Sequence, residues 1–251
     1  MYTELPRPTL FAHRGSSAHA PENTLAAFEL AIRQGIPAIE LDATLCADGH
    51  VVVIHDETVN RTTGESGVVR HMPLAALKEL DAGSWFAPAF KGEKIPTLAE
   101  VFETVGKRIF INVEIKNYDS PLDDLPARIA RLVQKYDVAD RLLFSSFNPV
   151  ALLRVGRLLP QVPGGLLVLW GKKGAWARGW LGSRFPCQAL HPEASDVTAL
   201  LVTRTHQAGR RIHVYTVNQP EEMTRLFGLG VDGIFTDDPP LAQQVLARLK
   251  T

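Results

Sequence analysis

The sequence predicts an α/β fold, a closed (β/α)8 TIM barrel with a small insertion after the second strand. Three observations predict it. Short β-type runs alternate with segments whose apolar residues recur at helical spacing, the pattern of βα units. Eight strand candidates fall in one parallel series that closes without any reversal of strand order. The length of 251 residues suits one such barrel, and no Gly/Ser/Pro-rich linker or shift in composition divides the chain. One domain over 1–251 is expected, with the insertion at about 43–96.

Thr9 to Ala12 reads as the first strand, ending in His13-Arg14-Gly15. Leu25, Phe28 and Ile32 mark the inner face of a helix that starts near Asn23 or Thr24 and stops at Gly35. Ile36 to Asp42 is the second strand. The alternation then breaks: Asp48-Gly49 reads as a hairpin turn, Val51 to His55 as an extended run, and Ala82 to Phe86 as irregular chain. It resumes with Leu98, Val101, Phe102 and Val105 on one helical face and a strand at Ile109 to Lys116. Leu122, Leu125, Ile129, Leu132, Val133 and Tyr136 predict an amphipathic helix. Further strands are expected at Leu142 to Ser145, Val162 to Leu169, Pro186 to Leu190, Ile212 to Val217 and Val231 to Thr236. Helices fit between them at Pro149 to Leu158, Val197 to Gln207 and Glu221 to Phe227, and the last starts after Asp238 with Pro239-Pro240.

Composition removes several classes of function. The 27 basic and 27 acidic residues, with a pI near 7.1, exclude a general electrostatic trap for nucleic acid. No apolar run approaches the length of a membrane span, and the first residues lack the apolar core of a secretory signal, so a cytoplasmic protein is expected. Cys46 and Cys187 have no CxxC-type spacing, which argues for free thiols rather than a disulfide framework or a thiolate zinc site.

Pro37 to Asp56 carries the chemistry. Glu40 and Asp42 are two apart on a strand and share a face, while Ile39 and Leu41 share the other. Paired carboxylates beside an apolar run must be offset by a cation, hydrogen bonds or protonation, and a divalent metal does so most completely. On the later strand Asn112, Glu114 and Lys116 share a face. Chemistry in a barrel sits at the C-terminal ends of the strands, a rule that gathers His13, Arg14, Glu40, Asp42, Glu114 and Lys116 at one mouth, with His55 supplied by the insertion. Three carboxylates, two imidazoles and two fixed cations suit a hard oxygen-liganded divalent cation beside a phosphate ester. Arg14 could hold a phosphate oxygen through parallel hydrogen bonds and Lys116 add a point charge. Two histidines on opposite sides of phosphorus can serve as general base and general acid in opposite protonation states, which predicts a bell-shaped pH–rate profile.

The sequence resembles the bacterial, cytosolic type of the glycerophosphodiester phosphodiesterase family. The matching stretches are HRG at His13 to Gly15, PENT at Pro21 to Thr24, ELD at Glu40 to Asp42 and DGHVVVIHD at Asp48 to Asp56. They continue in order with NRTTG at Asn60 to Gly64, IPTLAE at Ile95 to Glu100, VEIK at Val113 to Lys116, SSF at Ser145 to Phe147 and TVN at Thr216 to Asn218. Each tripeptide alone is weak, but the ordered series spans nearly the whole chain. The resemblance implies hydrolysis of glycerophosphodiesters to glycerol 3-phosphate and an alcohol with the help of one divalent cation. It implies metal ligands at Glu40, Asp42 and Glu114, catalytic histidines at His13 and His55, and substrate contacts at Arg14, Lys116, Phe147 and Tyr215. Many members carry Trp before TVN; Tyr215 keeps an aromatic wall, loses area and adds a hydroxyl. Glu22 could orient the arginine or a nearby water, or simply begin a helix where a negative charge is favourable.

Oxygen ligands favour Mg²⁺ or Ca²⁺, with Mn²⁺ next and Zn²⁺ left open by the histidines. The small-molecule substrate is the expected partner, with no nucleic acid. Trp170 to Phe185, with three tryptophans among Lys172, Lys173, Arg178 and Arg184, could touch an anionic membrane, form a homo-oligomer contact or cover the substrate as a lid. The alternative is a barrel helix packing its tryptophans inward. His19, His50, His71, His191, His206 and His213 lack comparable support, although His191 follows an expected strand and could line the mouth. Competing functions are a phospholipase D- or C-like activity on lysolipids and a non-catalytic phosphate-binding module.

Overall fold

The computed structural model of the chain describes residues 2–249, and the side chains of Trp180 and Leu181 lie outside what it describes. Nine strands form one sheet: β1 (Thr9–Ala12), β2 (Ala38–Leu45), β3 (Val51–Val53), β4 (Phe110–Ile115), β5 (Leu142–Ser146), β6 (Gly164–Val168), β7 (Ala189–Pro192), β8 (Arg211–Val214) and β9 (Gly233–Thr236). All except β3 run parallel, in the order β1-β2-β4-β5-β6-β7-β8-β9, and β9 pairs back to β1, which closes the barrel. The helices are α1 (Leu25–Arg33), α2 (Asn60–Thr63), α3 (Leu74–Glu79), α4 (Leu98–Val105), α5 (Leu125–Tyr136), α6 (Pro149–Leu158), α7 (Ala175–Arg178), α8 (Trp180–Ser183), α9 (Ala199–Gln207), α10 (Pro220–Gly228) and α11 (Pro239–Arg248).

Local signals set the helix ends. Thr24 caps α1 by accepting from Ala27 N, Asn148 caps α6, Thr198 caps α9 and Asp238 caps α11. At α4, Thr97 and Glu100 bond each other's backbone in a capping box. Leu98, Val101, Phe102 and Val105 are all buried, as their spacing predicts. Their layer meets the outward residues of the strands, among them Leu10, Ile39, Leu41, Ile111 and Val113, in the larger of the two barrel cores. Burial of such side chains contributes roughly 1.5–3 kcal/mol each.

The barrel's inside holds a second core of Phe11, Ala38, Phe110, Leu143 and Phe235. His191 and His213 complete this layer, Nδ1 of His213 lying 3.2 Å from His191 Nε2. At the N-terminal end Arg211 lies over the Tyr2 ring, 4.5 Å from its centroid, and closes the floor. His191 therefore does not line the mouth. The strand it belongs to is Ala189–Pro192 rather than Pro186 to Leu190, so its ring points into the packed interior and is fully buried against Gly165, where a Cβ would collide with it.

Two other expectations shift. The second strand continues to Leu45, because its end pairs antiparallel with β3 through Ala43↔Val53, Thr44↔Val52 and Leu45↔Val51. Leu122 stands outside α5 and is 75% exposed; the helix begins only at Leu125, with Pro126 in its first turn.

Residues 43–96 stand over the mouth with a small core of their own, built from Cys46, Val52, Ile54, Val59, Val69, Leu77, Ala82 and Ile95. The β2–β3 ladder and the backbone bond from Ile54 N to Asp42 O (3.0 Å) tie it to the barrel, so the next residue, His55, emerges beside β2.

Candidate active site

The parallel register builds the centre of the mouth. Glu40 pairs with Asn112 and Asp42 with Glu114, and side chains two apart on each strand point into the barrel together. Oxygens of Glu40, Asp42 and Glu114 come within 4.8 Å of one another. Glu40 and Asp42 are 3% and 1% exposed.

The turn after β1 wraps this cluster. Arg14 adopts a left-handed backbone conformation (φ 57°), and its N–H donates to Glu40 Oε2 at 2.9 Å. Gly15 follows at φ 82°, where a Cβ would lie 2.6 Å from that of Ala27; only glycine lets the turn rest on α1. Asn23, also left-handed, donates from Nδ2 to Asp42 Oδ2 (2.8 Å) and accepts from Asp42 N (3.3 Å). Lys116, just past β4, places Nζ 3.4 Å from Asp42 Oδ1 and 3.6 Å from Glu114 Oε1.

Burial would raise the Asp42 carboxyl, but Lys116, Arg14, His55 and Asn23 overcome it and hold the group below the usual carboxylate range. Glu40 goes the other way: burial, then the charges of Asp42 and Glu114, push its carboxyl well up. For Lys116, burial is outweighed by Asp42 and Glu114, which keep it a cation.

The histidines flank this centre. His13 Nδ1 lies 2.6 Å from Asp237 Oδ1 and its Nε2 4.0 Å from Glu40 Oε2. His55 Nδ1 lies 2.8 Å from Asp56 Oδ1. Asp237 also accepts from Ser17 Oγ and Asn218 Nδ2; despite its burial, these contacts and His13 depress its carboxyl to about 2. Asp56 is likewise depressed to about 2 against its burial, by Arg61 and His55. An ionised carboxylate only accepts, so each imidazole carries its proton on Nδ1 and turns Nε2 to the mouth.

Arg14 Nη1 donates to Glu22 Oε1 at 2.9 Å. Glu22 thus contacts the arginine, and α1 is capped by Thr24 and starts three residues later. On the far side Phe147 lies between Tyr118 and Tyr215, edge-on to both, with ring centroids 5.9 and 5.8 Å apart. The Tyr215 hydroxyl donates to Val168 O at 2.6 Å, so the added oxygen is committed to the barrel wall. Together His13, Arg14, Glu40, His55, Glu114, Lys116, Phe147 and Tyr215 line one cavity of about 250 Å³. A second cavity of about 440 Å³ opens beside it at His55, Lys116 and Tyr118.

Sequence reasoning missed Asn23, Asp56, Arg61, Asn112, Tyr118 and Asp237 as parts of this mouth. Asp237 had a signal, since it immediately follows a strand, as His13 does. Asp56 adjoins His55, and Asn112 was placed on the carboxylate face without a role. The reach of Arg61 across 39 residues to Glu22 has no local signal.

The donor set fits a hard cation. Glu40 Oε1 is buried without a hydrogen-bond partner, as is Asn112 Oδ1, and oxygen ligands around Ca²⁺ or Mg²⁺, at about 2.0–2.6 Å from the ion, lie at most about 5 Å apart. Fold and mouth together set two fixed cations and two imidazoles around a carboxylate triad at the C-terminal ends of a parallel barrel. Residues 13–241 match the glycerophosphoryl diester phosphodiesterase family model, and the chain belongs to that family and is a phosphodiesterase of its class. It is 41% identical over 231 residues to a glycerophosphodiester phosphodiesterase of Caldanaerobacter subterraneus subsp. tengcongensis, covering 92% of this chain and 94% of that one. Identity to a glycerophosphodiester phosphodiesterase of Bacillus altitudinis is 35%, over 96% of this chain and 99% of that one. The barrel superposes on an Oleispira antarctica phosphodiesterase, solved in complex with its product sn-glycerol-3-phosphate, with a TM-score of 0.89 at 34% identity and 98% coverage of both chains.

Proposed function

We propose that this phosphodiesterase hydrolyses glycerophosphodiesters to glycerol 3-phosphate and an alcohol by paired histidine acid–base catalysis. The observation that carries the reading is the carboxylate triad of Glu40, Asp42 and Glu114, set beside Arg14 and Lys116 and flanked by two histidines whose Nδ1 atoms are held by carboxylates. The product bound to the Oleispira antarctica relative supports the same substrate class.

Glu40, Asp42 and Glu114 would hold one divalent ion, Mg²⁺ or Ca²⁺ by their all-oxygen character, with Mn²⁺ and Zn²⁺ as the other entrants to test. When bound, it neutralises the triad and polarises a phosphoryl oxygen. Arg14 and Lys116 hold the remaining phosphoryl charge, and the rigid turn at Arg14 fixes that grip before substrate arrives. One histidine, neutral, accepts the proton of the attacking hydroxyl at Nε2, while the other, entering as the imidazolium with protons on both nitrogens, donates its Nε2 proton to the departing alkoxide. Asp237 and Asp56 hold the rings in place through this exchange. Phe147 and Tyr215 pack against the organic part of the substrate. Incubation with glycerophosphocholine, followed by ³¹P resonance of the products, tests the reading: glycerol 3-phosphate and free choline support it, and phosphocholine with glycerol contradicts it.

A second reading has its own observation. Leu169, Trp170 and Trp176 are 45%, 70% and 43% exposed just after β6, on the rim of the mouth, beside the exposed Lys172 and Lys173. They do not pack inward. The Trp180 side chain lies outside the described residues. Such a rim suits contact with an anionic membrane and lysolipid substrates. Sedimentation with phosphatidylglycerol vesicles tests it, and equal recovery in the supernatant with and without vesicles removes it.

A further inference from the structure

A single guanidinium joins the two carboxylates that hold Arg14 and His55. Arg61 lies on the short helix α2, which closes at Gly64 in the left-handed region (φ 76°). Its Nε and Nη2 donate to Asp56 Oδ2 and Oδ1 at 2.7 and 3.2 Å. Its Nη1 and Nη2 donate to Glu22 Oε2 and Oε1 at 2.7 and 2.8 Å. Glu22 passes the contact to Arg14 Nη1 (2.9 Å), and Asp56 passes it to His55 Nδ1 (2.8 Å).

We infer that Arg61 is a positioning residue for catalysis, setting His55 on the insertion against Arg14 on the barrel through Asp56 and Glu22. The inference rests on the hydrolysis proposed above. Arg14 and His55 stand on different elements: one follows β1, the other follows β3 in the insertion. Backbone bonds fix the insertion near the barrel, but the imidazole must sit within a few tenths of an ångström of its proton partner, and small misplacements cost rate steeply. Planar two-point bonds on both sides of one guanidinium supply that alignment, because each pair restricts rotation as well as distance.

A purely structural role accounts poorly for this placement. Apart from its carboxylate partners, Arg61 meets the exposed Trp85 ring, its guanidinium carbon 6.0 Å from the centroid, and Trp85 stands outside the insertion's apolar core. The Arg61 side chain is 44% exposed, where ion pairs add little stability. It also lines neither of the two cavities at the mouth. What would be lost without it is alignment: Glu22 and Asp56 would face each other as unbridged carboxylates.

The test is steady-state kinetics on glycerophosphocholine with saturating divalent cation. Arg61→Ala is expected to lower kcat about 10–100-fold while KM changes by less than about threefold, with the cooperative thermal transition retained. Arg61→Lys, which keeps the charge but cannot make two-point bonds to both partners, is expected to recover only part of kcat. Combining Arg61→Ala with Asp56→Asn should cost no more than the worse single change, within about twofold, because both cut one chain of contacts. Wild-type kcat in Arg61→Ala, or a defect confined to KM, overturns the inference and leaves the hydrolysis reading standing. Full recovery by Arg61→Lys also overturns it, since charge alone would then suffice. Absence of turnover by the unaltered protein overturns both.

Discussion

Asp42 and Glu114 are direct partners across the parallel β2–β4 ladder, and Lys116 bridges them, its Nζ 3.4 and 3.6 Å from their oxygens. The register leaves Glu40 one inward position below, with one oxygen bonded to Arg14 N and the other without a partner. The mouth thus meets the cost of three close carboxylates only in part by its own cations, and Glu40 bears the remainder as a raised carboxyl.

From this follows a binding prediction independent of turnover. Divalent cation should raise the thermal midpoint of the protein, since an ion bound only by the folded state stabilises it by mass action. Glu40→Ala should remove that rise and lower turnover by at least about 1000-fold, with the fold retained. Differential scanning fluorimetry with and without Ca²⁺ or Mg²⁺ checks it; an equal rise in the variant counts against the triad.

Asp237 holds His13 at Nδ1. Asp237→Asn keeps the shape but makes the partner a neutral amide, whose nitrogen can bind only the other tautomer. A loss of about 100-fold or more in kcat, with KM nearly unchanged, is expected from initial rates. A change confined to KM would show that Asp237 contacts substrate instead.

The hydroxyl of Tyr215 is spent on Val168 O. Tyr215→Phe should leave kcat/KM within about twofold and cost about 0.5–1.5 kcal/mol of stability, the net worth of one such bond. Tyr215→Ala removes the aromatic wall as well and should raise KM. Urea unfolding and Michaelis kinetics on the two variants separate the hydroxyl from the ring.

Much of this was legible in the chain. The alternation of strands and helices gave the barrel, since the long helices carry apolar faces and five of them, α1, α4, α6, α9 and α11, also a side-chain cap. The C-terminal-end rule gathered His13, Arg14, Glu40, Asp42, Glu114 and Lys116 correctly in one mouth. What stayed hidden depends on contacts distant in sequence: Asp237 reaches His13 across the closing β1–β9 seam, and Arg61 reaches Glu22 from the insertion. His191 misled because a shift in the ends of β7 decides between mouth and interior.

The buried His191 and His213 make an acid-sensitive core. Burial lowers both, His191 to about 3, and His213 is lowered further by His191 and Arg211. They stay neutral when folded and take up protons at about pH 6.5 when unfolded. The unfolded state therefore binds more protons below that pH. Stability should be full above about pH 6.5 and fall as the pH drops toward 3, by up to about 1.4 kcal/mol per pH unit for each histidine. Urea midpoints between pH 7 and 4.5 check this, and His213→Gln should flatten the slope; an unchanged slope would remove the pair as its source.

The central claim is cation-dependent release of glycerol 3-phosphate from this mouth. Protein stripped with EDTA should release none from glycerophosphocholine, and resupply of Mg²⁺, Ca²⁺, Mn²⁺ or Zn²⁺, each tested alone, should restore release with at least one, the first two being favoured by the oxygen ligands. Undiminished release from the stripped protein, or none with any of the four ions, would contradict the account.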